Sequence, residues 1–304
     1  MVIVDHIAAG IILPSLIESF QNTPAVTVSV ISSILPDVTS AFGWKGKLSY
    51  ISHRSGHTLL SAFFLSIIPV VLVYLIMGPR IKNTCLELYV LSLVSYAIHI
   101  VMDTFTPTGT QVFYPFSTRI LSFDLLASLE PFTNGISAVF IIFCLVTDKI
   151  PDLLFCQIFM AVYFLYVVFI SIIKFLKSRK FRRYLKNNYS GAVFIKTVPR
   201  LFWKWKAIAK IPGSYIVMSD VKGEDRCKLY PADIDIPNEI KKNKLYKKFM
   251  VYTRIPAALV DQGRFSLINL VFTPHTLRLD FVIDEEGRII RHEITGLKIP
   301  DRGI

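Results

Sequence analysis

From Thr58 to Met77 the chain carries no charged side chain, and from Leu153 to Ile173 it again carries none. A helix that crosses a bilayer needs about 20 predominantly apolar residues, because hydrocarbon offers backbone N–H and C=O groups no partner but each other. These two runs therefore limit the fold more than any other feature. Residues 86–102 form a third run, interrupted only by Glu87 and His99. Shorter apolar runs lie at 6–20, 25–36 and 134–147. They are expected as tilted, partly buried or re-entrant helices. The fold expected is a polytopic α-helical membrane bundle of about six helices, with mean hydropathy +0.51 and 53% hydrophobic residues, too apolar for an ordinary soluble protein.

The charge divides the chain in two. Residues 1–173 hold 7 Lys/Arg and 9 Asp/Glu, and residues 174–304 hold the remaining 27 and 13. The first part is thus slightly acidic and the second strongly basic, which sets domains at 1–175 and 176–304. Cys85, Cys144, Cys156 and Cys227 are scattered and form no Cys-x-x-Cys pair, so they read as reduced packing residues. Asp5 and His6 stand where a signal peptide has its basic region, so the first apolar run reads as a helix of the bundle.

The chemistry is concentrated in Val94-Ser-Tyr-Ala-Ile-His99-Ile-Val-Met-Asp103-Thr-Phe-Thr-Pro-Thr-Gly109. Positions i and i+4 share a helix face, so His99 and Asp103 can address one ion. Ionisable groups inside a membrane mark function by default, and Pro107 and Gly109 place the pair in the last turns of the helix. His6 begins the first helix, Asp37 ends the second, and His53 and His57 precede the third. Helices that alternate direction return all of these places to one membrane face. Imidazole with carboxylate suits a divalent metal, zinc first, with manganese or iron as alternatives. Arg54 offers a planar donor for a phosphate or carboxylate of a substrate. Asp124 and Glu130 lie on a loop on the same side and are weaker candidates.

Leu35-Pro-Asp37, His53-Arg-Ser-Gly-His57-Thr, the long His99 segment and Tyr114-Pro115 resemble the motifs of the YdjM/YfhP-type family. These are bacterial inner-membrane proteins taken to be metal-dependent hydrolases, some linked to the LexA regulon. The resemblance covers roughly residues 1–175. It implies a metal site built from His6, Asp37, His53, His57, His99 and Asp103, with Asp37 and Arg54 in catalysis, and it names no substrate. Thr39 stands where the family commonly has a second aspartate. His53 and His57 are one residue closer than in the family's His-Arg-Gly-x-x-His-Ser. A more distant likeness, by analogy only, is to zinc-dependent phospholipases C and related nucleases.

The basic part reads as a small α+β domain. Strands are expected at 213–219, 276–284 and 288–294, with a hairpin at Glu285-Glu286-Gly287. A basic helix is expected over 237–249, and Phe202-Trp-Lys-Trp-Lys206 reads as an interfacial anchor. His275 and His292 read as structural. Lys174, Lys177, Arg179, Lys180, Arg182, Arg183 and Lys186 follow the last apolar run, which puts the C-terminal domain in the cytoplasm of an inner-membrane, multi-pass protein. With six spans the His/Asp site would face the same side. There is no Walker loop or nucleic-acid motif, so a nucleic-acid partner is not expected. The function expected is metal-dependent hydrolysis of an ester or phosphoester of a lipid-like substrate. The alternative is a non-catalytic protein with a structural metal or polar network, whose basic tail binds an acidic partner or anionic membrane.

Overall fold

The computed structural model describes residues 3–42, 56–78, 81–127, 130–147, 149–200, 203–219, 227–231, 236–261, 264–271, 278–283 and 288–295. The chain forms two compact units, Met1–Ile170 and Ser171–Ile304.

In the first unit, α1 (Ile3–Ser15) leads through a short 3-10 turn, Glu18–Phe20, into α2 (Thr23–Phe42). α3 (Leu59–Leu65) and α4 (Ile67–Met77) follow, then α5 (Cys85–Thr104), α6 (Pro131–Thr147) and α7 (Leu153–Asn188). Among the described residues, three helical stretches are long and apolar enough to cross a membrane: Leu59–Met77, Cys85–Thr104 and Leu153–Asn188. That corrects the expected six. Among the others, α1 and α6 are apolar but shorter. α2 carries Thr23, Thr27, Ser29, Ser32, Ser33, Asp37 and Thr39 among its apolar residues and packs against α1, α4 and α5.

Two expected boundaries move. α2 runs through Pro36 to Phe42, so Asp37 sits within the helix rather than at its end. α7 continues helical through the basic segment to Asn188. Glu87, which interrupts the third apolar run, has a local role. Its carboxylate accepts from the Thr84 backbone N–H at 2.7 Å while Thr84 Oγ1 accepts from the Glu87 N–H at 3.2 Å. This capping box starts α5.

Hydroxyl contacts hold α5 against α2. Ser29 and Ser95 share a hydrogen bond of 2.8 Å and Ser32 and Ser92 one of 2.7 Å, all four buried. Small hydroxyl residues let membrane helices approach closely and bond across the interface. Gly10 does the same for α1: a Cβ there would lie 2.8 Å from the Val30 Cα and 2.6 Å from Ser33 Oγ. α1 can therefore lie flush on α2, while Ala8 and Ile12 pack with Phe140 of α6 and Cys156 of α7. All four cysteines are unpaired.

The second unit contains two four-stranded antiparallel sheets, each a meander. The first comprises β1 (Val193–Pro199), β2 (Trp205–Ile211), β3 (Ser214–Ser219) and β4 (Cys227–Pro231). Two short helices, α8 (Asn238–Lys242) and α9 (Lys244–Tyr252), precede the second sheet, β5 (Pro256–Asp261), β6 (Arg264–Asn269), β7 (Arg278–Ile283) and β8 (Ile289–Thr295). Val198 and Ile208 of one sheet share a core with Ile255, Ala257, Ile268 and Leu270 of the other segment. The expected strands appear as β3, β7 and β8, and the expected basic helix as α8 and α9. The expected hairpin residues 285–287, and His275, lie outside the described residues; His292 is exposed on β8. The aromatic anchor is only partly as expected. Trp203 is exposed, but Trp205 is a buried residue of β2.

Lys206 faces Val198 across the β1–β2 ladder, on the side where Ile208 enters the core. Burial, followed by the charges of Arg200 and Lys196, lowers its ammonium from the usual lysine range to about 7. The unfolded chain keeps that proton until the ordinary lysine range, so between about pH 7 and 10 the unfolded state binds more protons and stability rises with pH. The full-length protein in detergent is expected to show this rise in denaturant titrations followed by tryptophan emission. In Lys206→Met the slope is expected to flatten.

Candidate metal centre

Four side chains converge at one end of the first unit: Asp37 of α2, His57 just before α3, and His99 and Asp103 of α5. One donor atom from each lies within 4.8 Å of the other three. His57 Nε2 is 3.0 Å from His99 Nε2, 3.3 Å from Asp37 Oδ1 and 3.2 Å from Asp103 Oδ2. His99 Nε2 is 3.7 Å from Asp37 Oδ1 and 3.5 Å from Asp103 Oδ2. Ligands about 2.0–2.1 Å from a tetrahedral zinc stand about 3.3 Å from each other. The observed separations scatter around that value.

The backbone prepares each group. His99 Nδ1 lies 2.6 Å from the Ser33 carbonyl. A carbonyl only accepts, so Nδ1 carries the proton and Nε2 turns its lone pair to the cluster, the usual arrangement behind a metal-binding histidine. Pro36 lies inside α2 and supplies no N–H to the carbonyl four residues back. His57 is held on both sides. The Tyr96 hydroxyl donates to the Gly56 carbonyl at 2.6 Å, and the Leu59 N–H donates to the Val112 carbonyl at 3.0 Å. Thr58 caps α3 by accepting from the Ser61 N–H. The side chains of His57, His99 and Asp103 are 4% exposed or less, whereas Asp37 is 29% exposed. The centre thus opens on the Asp37 side.

Two imidazole nitrogens, one of them an unprotonated acceptor, face two carboxylates in a buried space. Such a donor set fits a divalent cation, since imidazole and carboxylate together suit zinc, manganese or iron. This His2Asp2 group could hold a metal ion.

The remaining candidates separate. His6 is buried beside the group, stacked on His99 with ring centroids 3.7 Å apart, and its Nε2 is 3.4 Å from Asp103 Oδ1. It is not one of the four. His53 and Arg54 lie outside the described residues. Asp124 takes a hydrogen bond from Ser122 Oγ at 3.1 Å, and Glu130 takes one from the Tyr166 hydroxyl at 2.6 Å. Neither belongs to the four-residue group. Sequence reasoning missed Asp5, which is buried and accepts from Ser137 Oγ at 2.7 Å. It also missed the serines of α2 and α5. Their signal was their three-residue spacing, Ser29/Ser32 and Ser92/Ser95, within apolar runs.

The fold and site define a helical membrane protein with a buried His/Asp group suited to a metal. The chain belongs to the YdjM inner membrane protein family, whose family model matches residues 1–175. It is also similar to the uncharacterized protein YfhP of Bacillus subtilis (strain 168), 26% identical over 137 residues. That match covers 42% of this chain and 41% of the relative, so the chain spans less than half of that relative's length. No solved structure matches the chain.

Proposed function

We propose that the chain is a membrane-bound, zinc-dependent hydrolase of an ester or phosphoester in a lipid-like substrate. The observation that carries this reading is the convergence of three buried donors, His57, His99 and Asp103, beside the more exposed Asp37; three protein ligands leave a fourth position open on the Asp37 side. A divalent ion held there lowers the pKa of bound water toward neutrality and polarises the ester or phosphoryl oxygen. His57 and His99 supply lone pairs, and Ser33 keeps the His99 ring from turning. Asp103 is locked among three histidines. Asp37, at the exposed edge, is the carboxylate placed to accept the proton of an attacking water. Arg54, three residues before His57 in the sequence, is the planar donor assigned to steady the departing negative charge.

A site within an apolar bundle favours amphiphilic substrates over freely soluble ones. The run from Lys174 to Lys186 puts the second unit in the cytoplasm by the positive-inside rule. In the rival reading the metal is structural and the basic part binds an acidic partner or anionic membrane.

The deciding experiment is hydrolysis by purified, zinc-loaded protein in detergent or bilayer discs, across a panel of carboxylic esters, phosphomonoesters, phosphodiesters and phospholipids. Turnover that is abolished by chelation and restored by zinc is expected. Stoichiometric metal with no turnover on any class overturns the hydrolase reading and leaves the structural one.

A further inference from the structure

His6 has no part in the four-residue group, yet it is 1% exposed, and neither ring nitrogen has a hydrogen-bond partner among the described residues. A buried imidazole with two unsatisfied nitrogens has given up its water without a replacement partner, which is unfavourable. Its Nε2 lies 3.4 Å from Asp103 Oδ1 without forming a hydrogen bond. Asp103 divides its two oxygens: Oδ2 faces His57 and His99 at 3.2 and 3.5 Å, and Oδ1 faces His6. The His6 and His99 rings are stacked at 3.7 Å, only 22° from parallel. Each Nε2 faces one oxygen of the same carboxylate, from rings one stacking distance apart. That matches the roughly 3.5–4 Å between the metals of carboxylate-bridged pairs.

The geometry points to a second divalent cation site formed by His6 Nε2 and Asp103 Oδ1, with Asp103 bridging it to the first. This inference rests on the metal reading of the four-residue group and extends it. With two protein ligands among the described residues, the second site is weaker than the first. Its other positions are left to water or to an oxygen of the substrate, which favours a phosphoryl group able to span both ions.

The test is metal stoichiometry by elemental analysis, together with the electron paramagnetic resonance spectrum of manganese-loaded protein. The native protein is expected to bind two ions per chain and to show the spectrum of a spin-coupled pair. His6→Phe keeps the ring stack and removes both nitrogens. It is expected to retain one ion, with the spectrum of isolated manganese. His6→Gln, which keeps a polar group but not the ring, serves as a second variant should the first fold poorly. One ion in both native protein and His6→Phe overturns the second site. Loss of all metal from a folded His6 variant overturns it too, since His6 would then serve the first ion. Two uncoupled ions overturn the bridge. No metal in the native protein sinks the four-residue centre itself, and the second site with it.

Discussion

Changing His99 and Asp103 together to alanine is expected to leave the purified protein without bound divalent metal. The two residues supply half of the four-residue donor set, and Asp103 also approaches His6. Removing a group that merely orients a ligand weakens metal affinity by about 10–100-fold, so losing two ligands should exceed about 100-fold. Elemental analysis of native protein and variant, both folded by circular dichroism, reads the result. Metal retained at the native level would mean that it binds elsewhere. Absence from both, even after incubation with zinc and manganese, would reduce the convergent histidines to a buried polar network. α5 itself should survive the change, because its capping box and the serine contacts to α2 lie away from the two positions.

The second large effect concerns a residue with no chemistry of its own. Gly10→Val is expected to destabilise the first unit by about 1–3 kcal/mol, the range for overpacking a close contact. The first added carbon would meet the α2 backbone at 2.8 Å, and a backbone cannot swing aside as a side-chain tip can. α1 must then move off α2, and it carries His6 with it. Weaker metal binding should accompany the lower thermal midpoint, although Gly10 is itself no ligand. Gly135 of α6 is the control. A Cβ there meets nothing within 4 Å, so Gly135→Ala should be neutral or stabilising by up to about 1 kcal/mol through helix propensity. Thermal unfolding of the two variants in one detergent reads the contrast. Equal effects would show that Gly10 is not a packing contact.

The local signals were legible in proportion to their strength. The His99–Asp103 pair was readable from i,i+4 spacing alone, and both residues sit in the last turns of α5. Strands β3, β7 and β8 were readable from their apolar content, β7 and β8 also from alternation. β1, β2, β4, β5 and β6 were not. Lys196, Lys206 and Lys210 blur the first two, and Pro256 obscures the start of β5. Pro36 was misleading as a stop signal, since α2 continues past it while its neighbours α1, α4 and α5 hold it in place. The spans were overcounted because an apolar run records burial, whether in lipid or in protein. α2 packs against α1, α4 and α5.

The sequence by itself determined that the chain enters a membrane, that a basic part follows an apolar one, and that His99 and Asp103 share a helix face. Each of these depends on neighbours in the chain: hydrophobic run length, charge density and helical period. Only the tertiary structure decided which distant groups complete the centre. Asp37 and His57 reach His99 and Asp103 because serine contacts set the approach of α2 to α5, and because Tyr96 and Val112 pin the segment holding His57. His6 lies beside the four because Gly10 admits α1 to the surface of α2. Donor atoms must meet to within a few tenths of an ångström to share an ion. That tolerance is set by helix packing, which no local pattern along the chain encodes.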